Sequence, residues 1–334
     1  MSPPRLSVLL PCRNTAPTLE AAAASLSAQT FANFEVVAVD DGSDDGTPDL
    51  LAAWAARDGR IHPVRTPPRG IVAALRTAAA RAEGELLARM DADDIAKPAR
   101  LERQVAYLDA RPDVAACGTR VRYIPRRLVR DGARRYERWI NDVVSPDDIE
   151  RDLFVECPIP HPTLLVRRGA FARAGGYRDT EWPEDYDLVL RLWATGERMG
   201  KVPEVLLEWR EGEDRLSRTD PRYAEEAFRR CKVHYLARRI GGRPVVVWGA
   251  GPVGKAFART LQAARQHVIA FVELDRRKLG QTIHDALVIH PSDLKQYRSA
   301  YVVGAVGSPE ARAEIRAALA AAGFREPEEC CAVA

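Results

Sequence analysis

Residues 7–47 read SVLLPCRNTAPTLEAAAASLSAQTFANFEVVAVDDGSDDGT, and their pattern sets the fold class. Apolar, β-branched runs predict strands over Leu6–Pro11 and Glu35–Asp40, and the alanine-rich segment between them predicts a helix over Pro17–Gln29. Strands that alternate with helices form βαβ units with a mostly parallel sheet. Since this alternation continues to about residue 124, the sequence predicts an α/β fold.

The composition of the chain narrows the class of protein. Its 334 residues favour two domains at about 150 residues each. The 50 Lys and Arg residues nearly balance 47 Asp and Glu residues, so a net charge of +3 gives no reason to expect nucleic acid as a partner. The longest uncharged stretch, Ala21–Phe34, is too short and too polar to span a bilayer, and no secretory signal is visible. Six scattered cysteines without a CxxC pair argue against zinc and against a disulfide framework, so we expect a cytoplasmic protein.

A cluster of helix-breaking residues, Gly241-Gly242-Arg243-Pro244, divides the chain. Before it, Tyr223–Ile240 is amphipathic and predicts a helix that closes the first domain. After it, a second α/β pattern begins with a strand at Val245–Trp248 and a glycine-rich turn. We therefore predict domains at residues 1–240 and 243–334.

Three predicted strands of the first domain end in polar clusters, at residues 11–14, 40–46 and 91–94. Ligands of open parallel sheets bind beyond the carboxyl ends of the strands. Two acidic clusters at one edge repel each other unless a cationic or hydrogen-bonding group lies between them, and a divalent metal that carries phosphate oxygens suits this place. For residues 40–46 alone, an Asx-type turn that caps the next helix is an equally good interpretation.

Four blocks of sequence together resemble family 2 glycosyltransferases, which have the GT-A nucleotide-sugar-binding fold. The first block is residues 7–47, and the second is AEGELLARMDADDIAKPARLERQV at 82–105, which contains a DxD motif as Asp91-Ala92-Asp93. The others are IPHPTLLVRRGAFARAGGY at 159–177 and WPEDYDLVLRLWATG at 182–196. The resemblance covers about two thirds of the chain and fades after about Ser217.

The resemblance implies a site for the donor nucleotide at the three strand ends. Its residues are Pro11, Arg13, Asp40, Asp41, Asp91 and Asp93. Of these, Asp91 and Asp93 match the positions that bind the ribose and a Mn²⁺ or Mg²⁺ ion bridging the diphosphate. A metal there offsets the charge that develops on the leaving diphosphate.

The pair Glu184-Asp185 matches the family's ED pair, whose aspartate deprotonates the acceptor. The resemblance implies an inverting reaction with Asp185 as the base and Glu184 as its substitute. The alternative is that these acids only cap the first turn of a helix. His161 matches a segment beside the acceptor site, although it could also be a structural histidine.

The stretch Arg120–Arg138 holds eight arginines and two acids, Asp131 and Glu137. Such a run is typical of a solvated face or a loop, and the alternative is a surface that meets an anionic acceptor or a phosphate-bearing lipid headgroup. We therefore expect a hydroxyl acceptor, either anionic or linked to lipid phosphate, with peripheral contact at the inner face of the membrane left open. Processive relatives carry membrane helices after the catalytic acid, and no apolar span follows Glu184, so we expect a non-processive enzyme.

In the second domain, Gly249, Gly251 and Gly254 form a GxGxxG motif between a predicted strand and a predicted helix. Glu273 ends the next strand, where an acid can accept from a ribose hydroxyl, so the motif favours a nucleotide or NAD(P). The segment FVELDRRKLGQTIHDALVIHPSDL at 271–294 resembles the small Rossmann-like domain at the N-terminus of some sugar O-acyltransferases. A structural or oligomerising role, with a homo-oligomer as the result, is the alternative.

Together these features predict an inverting, metal-dependent, non-processive glycosyltransferase. It would move a sugar from a nucleoside-diphosphate sugar to a hydroxyl acceptor in polysaccharide or secondary-metabolite assembly. Two alternatives stay open: an NAD(P)-linked oxidoreductase that acts through the C-terminal glycine turn, and a non-catalytic nucleotide-sugar-binding protein. The sequence identifies neither the donor base nor the sugar.

Overall fold

A computed structural model describes residues 3–212 and 215–334, and its packing divides them into two units. The first takes in the chain as far as Ile149, then Pro158–Thr180 and Glu184–Thr219. The second takes in Glu150–Cys157, Glu181–Pro183 and Asp220–Ala334. The sequence boundary near Gly241 falls at the end of a helix of the second unit, and the two predicted domains stay a prediction.

The first unit is built on an eight-stranded sheet. Its strands are β1 (Leu6–Cys12), β2 (Phe34–Asp41), β3 (Ile61–Thr66), β4 (Leu86–Arg89), β5 (Ile95–Ala96), β6 (Val114–Ile124), β7 (Leu165–Arg167) and β8 (Arg198–Arg210). They lie in the order β3-β2-β1-β4-β7-β6-β8-β5. The pairs β1–β2, β1–β4, β2–β3 and β6–β8 are parallel, whereas β7 runs antiparallel to its neighbours and β5 to β8. This mostly parallel sheet confirms the predicted α/β class.

Helices follow most of these strands, as the sequence predicts. Up to Thr219 they are α1 (Ala16–Ser27), α2 (Thr47–Arg57), α3 (Ile71–Arg81), α4 (Arg100–Asp109), α5 (Asp131–Asp142), α6 (Pro146–Asp152), α7 (Arg168–Arg173), α8 (Glu184–Ala194) and α9 (Leu216–Thr219). Every residue of β2 is buried, and β1 is buried except for Pro11, which is the expected pattern for strands covered on both faces. The core of the unit therefore lies around β1 and β2 and fixes where their carboxyl ends emerge.

The arginine-rich stretch is more regular than a loop. Strand β6 continues to Ile124, and α5 begins at Asp131. Helix α5 forms because its inward side chains, including Tyr136 and Trp139, pack against the apolar core of the unit. Its arginines remain on the opposite, solvent-facing side.

The second unit has its own six-stranded sheet and its own core. The strands are β9 (Val245–Trp248), β10 (Val268–Val272), β11 (Thr282–Ile283), β12 (Ala286–Ile289), β13 (Tyr301–Gly304) and β14 (Cys330–Ala332), in the order β11-β12-β10-β9-β13-β14. Its helices are α10 (Glu225–Ile240), α11 (Pro252–Ala263) and α12 (Pro309–Ala321). The buried Lys232 of α10 donates through Nζ to the carbonyl oxygens of Val155 (2.7 Å) and Val333 (3.1 Å), which joins three distant parts of the chain.

Two further properties concern the whole chain. All six cysteines are buried with free thiols. Among the residues that the structure describes, no helix combines the length and the apolar character needed to cross a bilayer.

Candidate active site

The strand registers bring the predicted polar clusters to one edge of the first sheet. Cys12 lies opposite Asp40 across the β1–β2 pair, and Leu9 lies opposite Arg89 across the β1–β4 pair. The segments that leave β1, β2 and β4 therefore start side by side. Asp91 comes two residues after β4, so both acidic clusters belong to this edge.

The acids that end β2 hold the turns that follow them. Asp40 accepts a hydrogen bond from the backbone N–H of Ser43 at 2.9 Å, and Asp41 accepts from the N–H groups of Arg69 and Gly70, both at 2.8 Å. Residues 40–46 thus contain the hydrogen bonds of a turn, since Oδ1 of Asp45 also accepts from the N–H of Thr47 at 2.9 Å, and Asp41 holds the segment that leads into α3. The nucleotide-binding roles of Asp40 and Asp41 stay a prediction. One oxygen of Asp40 remains: Oδ2 is buried, lacks a hydrogen-bond partner among the described residues, and lies 3.5 Å from Nε of Arg65.

At the end of β1, Arg13 extends toward solvent with 56% of its side chain exposed, and its Nη1 lies 3.6 Å from Oδ2 of Asp41. Pro11 is the last residue but one of β1. Asn14 links this loop to the next, because its N–H donates to Oγ of Ser43 at 2.9 Å and its Oδ1 accepts from the N–H of Asp44 at 3.1 Å. These contacts fix the relative positions of two of the predicted nucleotide-binding segments.

Three carboxylates lie together after β4. Asp91, Asp93 and Asp94 each offer an oxygen, and these oxygens lie within 4.8 Å of one another. Burial raises the pKa of Asp93 to about 6, and the neighbouring Asp91 carboxylate raises it as well. Burial raises the pKa of Asp94 well above its ordinary value, and its buried Oδ2 has no hydrogen-bond partner among the described residues.

This cluster fits a hard divalent cation. Carboxylate oxygens are the ligands that Mg²⁺ and Mn²⁺ prefer, and a cation between three close carboxylates removes their mutual repulsion. The unpartnered oxygen of Asp94 is an unsatisfied acceptor that such an ion, or a water bound to it, would satisfy.

Two buried side chains lie against these acids, Arg89 against the cluster and His161 near the predicted catalytic pair. Nη1 of Arg89, which is 2% exposed, lies 2.6 Å from Oδ1 of Asp91. His161 contacts the hydroxyl of Tyr177 through Nε2 at 2.9 Å, and its Nδ1 lies 3.9 Å from Oε1 of Glu184. Burial lowers the pKa of His161 well below its ordinary value, and the positive charge of Arg89 acts in the same direction. His161 is therefore a neutral, enclosed side chain, and its predicted place beside the acceptor stays a prediction.

The pKa of Tyr177 responds to the acids of the DxD segment and to those of the Glu184-Asp185 pair. Burial raises the pKa of its hydroxyl well above the ordinary value, while Arg89 acts in the opposite direction. The carboxylates of Glu184, Asp185 and Asp91 raise it further. The backbone N–H of Arg89, two residues before Asp91, donates to the carbonyl oxygen of Leu164 at 2.8 Å, and His161, three residues before Leu164, lies 3.9 Å from Glu184. The DxD segment and the Glu184-Asp185 pair thus belong to one region of the first unit.

The two acids of that pair differ in exposure. Glu184 is only 1% exposed, whereas Asp185 is partly exposed and accepts from the N–H of Tyr186 at 2.7 Å through Oδ1. Both lie in the first turn of α8, where they also complement the helix dipole. A group that takes a proton from a substrate must be reachable, and of the two Asp185 is the reachable one.

Sequence reasoning missed two arginines beside the acidic cluster. The backbone N–H of Arg210 donates to Asp94 at 2.7 Å, and its Nε donates to the carbonyl oxygen of Asp93 at 2.7 Å. The guanidinium of Arg215 lies 4.7 Å from the ring of Trp209 and lowers the pKa of Asp93 against the effect of burial. The one signal that the sequence offers is the closeness of several arginines in WREGEDRLSR at 209–218, which begins with the last two residues of β8.

In the second unit, the predicted glycine turn has the expected backbone. Gly249 has φ +116° and comes directly after β9, and a Cβ at Gly254 would overlap the carbonyl group of Gly249. Glu273 accepts from the N–H groups of Leu274 and Asp275, and its Oε2 lies 2.8 Å from Nζ of Lys278. Ligand binding by Gly249, Gly251, Gly254 and Glu273, including binding of NAD(P), stays a prediction.

Comparison with known proteins agrees with this geometry. Residues 7–174 match the family described as Glycosyl transferase family 2, and residues 242–328 match the family described as C2185-like, N-terminal. EpsE of Bacillus subtilis (strain 168), which is named as a glycosyltransferase, is 31% identical over 229 residues, 67% of this chain and 79% of EpsE. The amylovoran biosynthesis glycosyltransferase AmsE of Erwinia amylovora is 30% identical over 204 residues, 60% of this chain and 73% of AmsE.

Solved structures share the fold at low sequence identity. Residues 1–349 of S. aureus TarS, in complex with UDP-GlcNAc, superpose with a TM-score of 0.57 at 18% identity over 70% of this chain and 66% of that one. The mannosyltransferase PcManGT from Pyrobaculum calidifontis, in complex with GDP-Man and Mn²⁺, gives a TM-score of 0.51 at 21% identity over 97% of this chain and 82% of that one. The chain belongs to glycosyltransferase family 2, and its first sheet has the GT-A fold. It is accordingly an enzyme of the glycosyltransferase class.

Proposed function

We propose that this chain is an inverting, metal-dependent, non-processive glycosyltransferase that transfers a sugar from a nucleoside-diphosphate sugar to a hydroxyl acceptor. The observation that supports the proposal is a series of contacts between the DxD segment and the start of α8. Arg89 lies 2.6 Å from Asp91 and its backbone N–H donates to the carbonyl oxygen of Leu164 at 2.8 Å. His161, three residues before Leu164, lies 3.9 Å from Glu184. These contacts support a single site in which the acidic cluster would hold the metal and Asp185 would face the acceptor, as a reaction between a diphosphate donor and a hydroxyl acceptor requires.

The donor nucleotide would lie along the ends of β1, β2 and β4. The buried, unpartnered Oδ2 of Asp40 offers an acceptor for a base N–H, and the exposed Arg13 offers a cation. Asp91 and Asp93, with Asp94 beside them, would hold Mn²⁺ or Mg²⁺. When bound, the ion supplies Lewis-acid stabilisation of the diphosphate. The related structures hold two different nucleotide sugars, UDP-GlcNAc in TarS and GDP-Man in PcManGT, so they leave the donor base of this chain open.

Asp185 would act as the general base. The acceptor oxygen forms its bond to the anomeric carbon as the bond from that carbon to the diphosphate oxygen breaks. The diphosphate leaves with the electron pair, and the acceptor proton passes to the Asp185 carboxylate. Because attack and departure occur on opposite faces of the sugar, the configuration at the anomeric carbon inverts. Glu184 is too enclosed to accept this proton first, and its closeness to His161 and Tyr177 suits a role in holding the start of α8.

Arg215 would supply further positive charge to the leaving diphosphate. Its guanidinium lies against Trp209 and close enough to Asp93 to lower the pKa of that carboxyl. A preorganised cation on the side where negative charge develops favours the transition state over the ground state.

Substitution of the base and of a metal ligand tests the proposal in two steps. Thermal shifts with UDP, GDP, dTDP and CDP, each with and without Mn²⁺, first identify the nucleotide, since a ligand at 100 times its Kd adds about 2.7 kcal/mol of stability. Release of nucleoside diphosphate from the matching sugar donor, with water as the acceptor, then measures catalysis. We expect Asp185→Asn to keep the nucleotide shift and to lose on the order of 100-fold in release rate. Asp93→Asn should lose the Mn²⁺-dependent part of the shift.

Asp147→Asn and Asp113→Asn are matched controls, because both carboxylates are largely exposed in the same unit, at 90% and 57%. Near-normal release by Asp185→Asn would show that this residue is not the base. Binding of a nucleotide with no release from any donor would instead favour a non-catalytic nucleotide-sugar-binding protein.

A further inference from the structure

A segment rich in exposed arginines lies in the first unit. It spans the end of β6, the short turn Arg126–Leu128 and helix α5. We call it the arginine face, and its members are the exposed residues Arg122, Arg127, Arg134, Arg135 and Arg138. On α5, the last three fall at i, i+1 and i+4, so they share one side of the helix.

The two acids of this stretch neutralise only a small part of its positive charge. Glu137 faces inward with 15% of its side chain exposed, where it accepts from the N–H of Tyr123 at 3.0 Å and pairs with Arg126 at 2.7 Å. Asp131, in the first turn of α5, is the second acid between Arg122 and Arg138. The arginine face is therefore strongly positive on a chain whose net charge is only +3.

The same surface exposes an apolar side chain. Leu128 ends the turn before α5, directly after Arg127, and is 51% exposed. A leucine projecting among arginines costs free energy in water but suits the boundary between lipid headgroups and acyl chains. Basic side chains beside it would meet the phosphate groups of the same lipids.

The opposite side of α5 is packed and holds the face in a fixed orientation. Ile140 is fully buried, and the ring of Tyr136 lies 6.4 Å from that of Trp209. Trp209 in turn lies under Arg215, beside the acidic cluster. One side-chain layer thus connects the packed side of α5 to the candidate active site.

We propose that the arginine face docks this enzyme on a membrane surface that carries anionic lipids. The arginine face takes its five arginines from three segments, namely β6, the turn before α5 and α5 itself. Guanidinium groups from three segments suit several phosphates of a lipid surface better than a single phosphate group. The exposed Leu128 adds an apolar contact that a soluble polyanion could not use. The proposal does not depend on the sugar or the acceptor.

Vesicle flotation with the full chain tests this directly. We expect binding to vesicles of phosphatidylcholine with 30% phosphatidylglycerol, about the anionic fraction of many natural leaflets, and no binding to phosphatidylcholine alone. The variant Arg134→Gln/Arg135→Gln/Arg138→Gln should lower the partition coefficient on the order of 100-fold, since each arginine near the surface contributes about fivefold. Leu128→Ser should weaken binding by a smaller factor that is insensitive to salt.

The matched control is Arg57→Gln/Arg81→Gln/Arg103→Gln, which removes the same charge from exposed arginines on other helices of the unit. The control should bind as the native chain does, and circular dichroism verifies that every variant is folded. If both triple variants lost vesicle binding equally, the net charge of the chain alone would explain the binding, and the proposal would be overturned. Retention on soluble polyphosphate together with failure to float with anionic vesicles would also overturn it, in favour of a soluble anionic polymer as the partner.

Discussion

His161 shows how burial and one neighbouring cation set the state of a side chain. It is enclosed, contacts the hydroxyl of Tyr177 and lies near Arg89, so its neutral form is favoured. Its folded pKa therefore lies well below the ordinary value of about 6.5 that it regains on unfolding. Between these two values the unfolded chain binds a proton that the folded chain does not.

The resulting prediction concerns stability in mild acid. The free energy of unfolding should fall as the pH drops below about 6.5, by up to about 1.4 kcal/mol per pH unit from this group, until the folded pKa is reached. His161→Gln should lack this part of the pH dependence. Urea midpoints at pH 7.5 and 5.0 measure it, with His267→Gln, an exposed histidine of the second unit, as the control. The same decline in the native chain and in His161→Gln would assign the pH dependence to other groups.

The hydroxyl of Tyr177 gives a second prediction, which concerns the free energy of unfolding. Its hydroxyl is the partner of His161 Nε2, at 2.9 Å, so Tyr177→Phe leaves a buried ring nitrogen unsatisfied. We expect a loss of about 1–3 kcal/mol in the free energy of unfolding, measured in urea at pH 7.5. Tyr107→Phe, at a half-buried ring, should change it by less than about 0.5 kcal/mol. Equal effects in both variants would mean that the contact between Tyr177 and His161 adds nothing to stability.

At the scale of elements, the turn after β2 is constrained from two sides. Gly42 has φ +68°, a conformation that side chains other than glycine rarely adopt. A Cβ at this position would lie 2.6 Å from Cδ of Pro68, in the segment that leads to α3. This close approach holds together the loops in which Asp40 and Asp41 make their hydrogen bonds.

Gly42→Ala should therefore destabilise the chain by about 2–4 kcal/mol, from left-handed strain and from the clash with Pro68 together. Gly59→Ala is the matched control, because nothing lies within 4 Å of its Cβ position and its φ is not in the left-handed region. The control should be neutral or stabilising by up to about 1 kcal/mol. Thermal unfolding measures the stability of both variants. An unchanged stability of Gly42→Ala would show that the segment around Pro68 shifts to make room for the methyl group at no cost in free energy.

The elements differ in how well the sequence predicts them. Strand β9 has the bounds that the sequence predicts, and α10 ends at Ile240 as predicted, since the cluster Gly241-Gly242-Arg243-Pro244 marks where one ends and the other begins. Helix α5 is not predictable in this way, because seven arginines between residues 122 and 138 hide its apolar side. The ring of Trp209, against which that side packs, lies far along the chain. Arg210 and Arg215 escape prediction for the same reason, since their contacts with Asp93 and Asp94 join residues more than 100 positions apart.

At the scale of the whole molecule, each unit has its own core. In the second unit, the buried Lys232 joins segments that are far apart in the chain. Nζ of Lys232 satisfies two carbonyl oxygens, those of Val155 and Val333, although burial lowers its pKa. Replacement by an apolar side chain leaves both oxygens without their donor. The charge itself is tolerated because it completes these contacts.

Lys232→Met should lower the free energy of unfolding by about 2–4 kcal/mol, as expected for the loss of two charge-assisted hydrogen bonds. Lys295→Met, at an exposed position of the same unit, should change it by less than about 0.5 kcal/mol. Hydrogen exchange of amides in α10 and β14 locates the effect. Unchanged protection there in Lys232→Met would show that packing alone holds these segments.

The burial of all six cysteines has a practical consequence. Only a thiolate reacts quickly with alkylating reagents, and burial raises the pKa of Cys12 and Cys117 to about 12 and that of Cys331 to about 11. The thiols of the folded chain are thus unreactive toward such reagents, and each becomes reactive only when the structure around it opens. Cys12 and Cys117 belong to the first unit, and Cys157, Cys231, Cys330 and Cys331 to the second. The rate at which each native cysteine is alkylated therefore measures how often the unit that contains it opens, and no engineered label is needed.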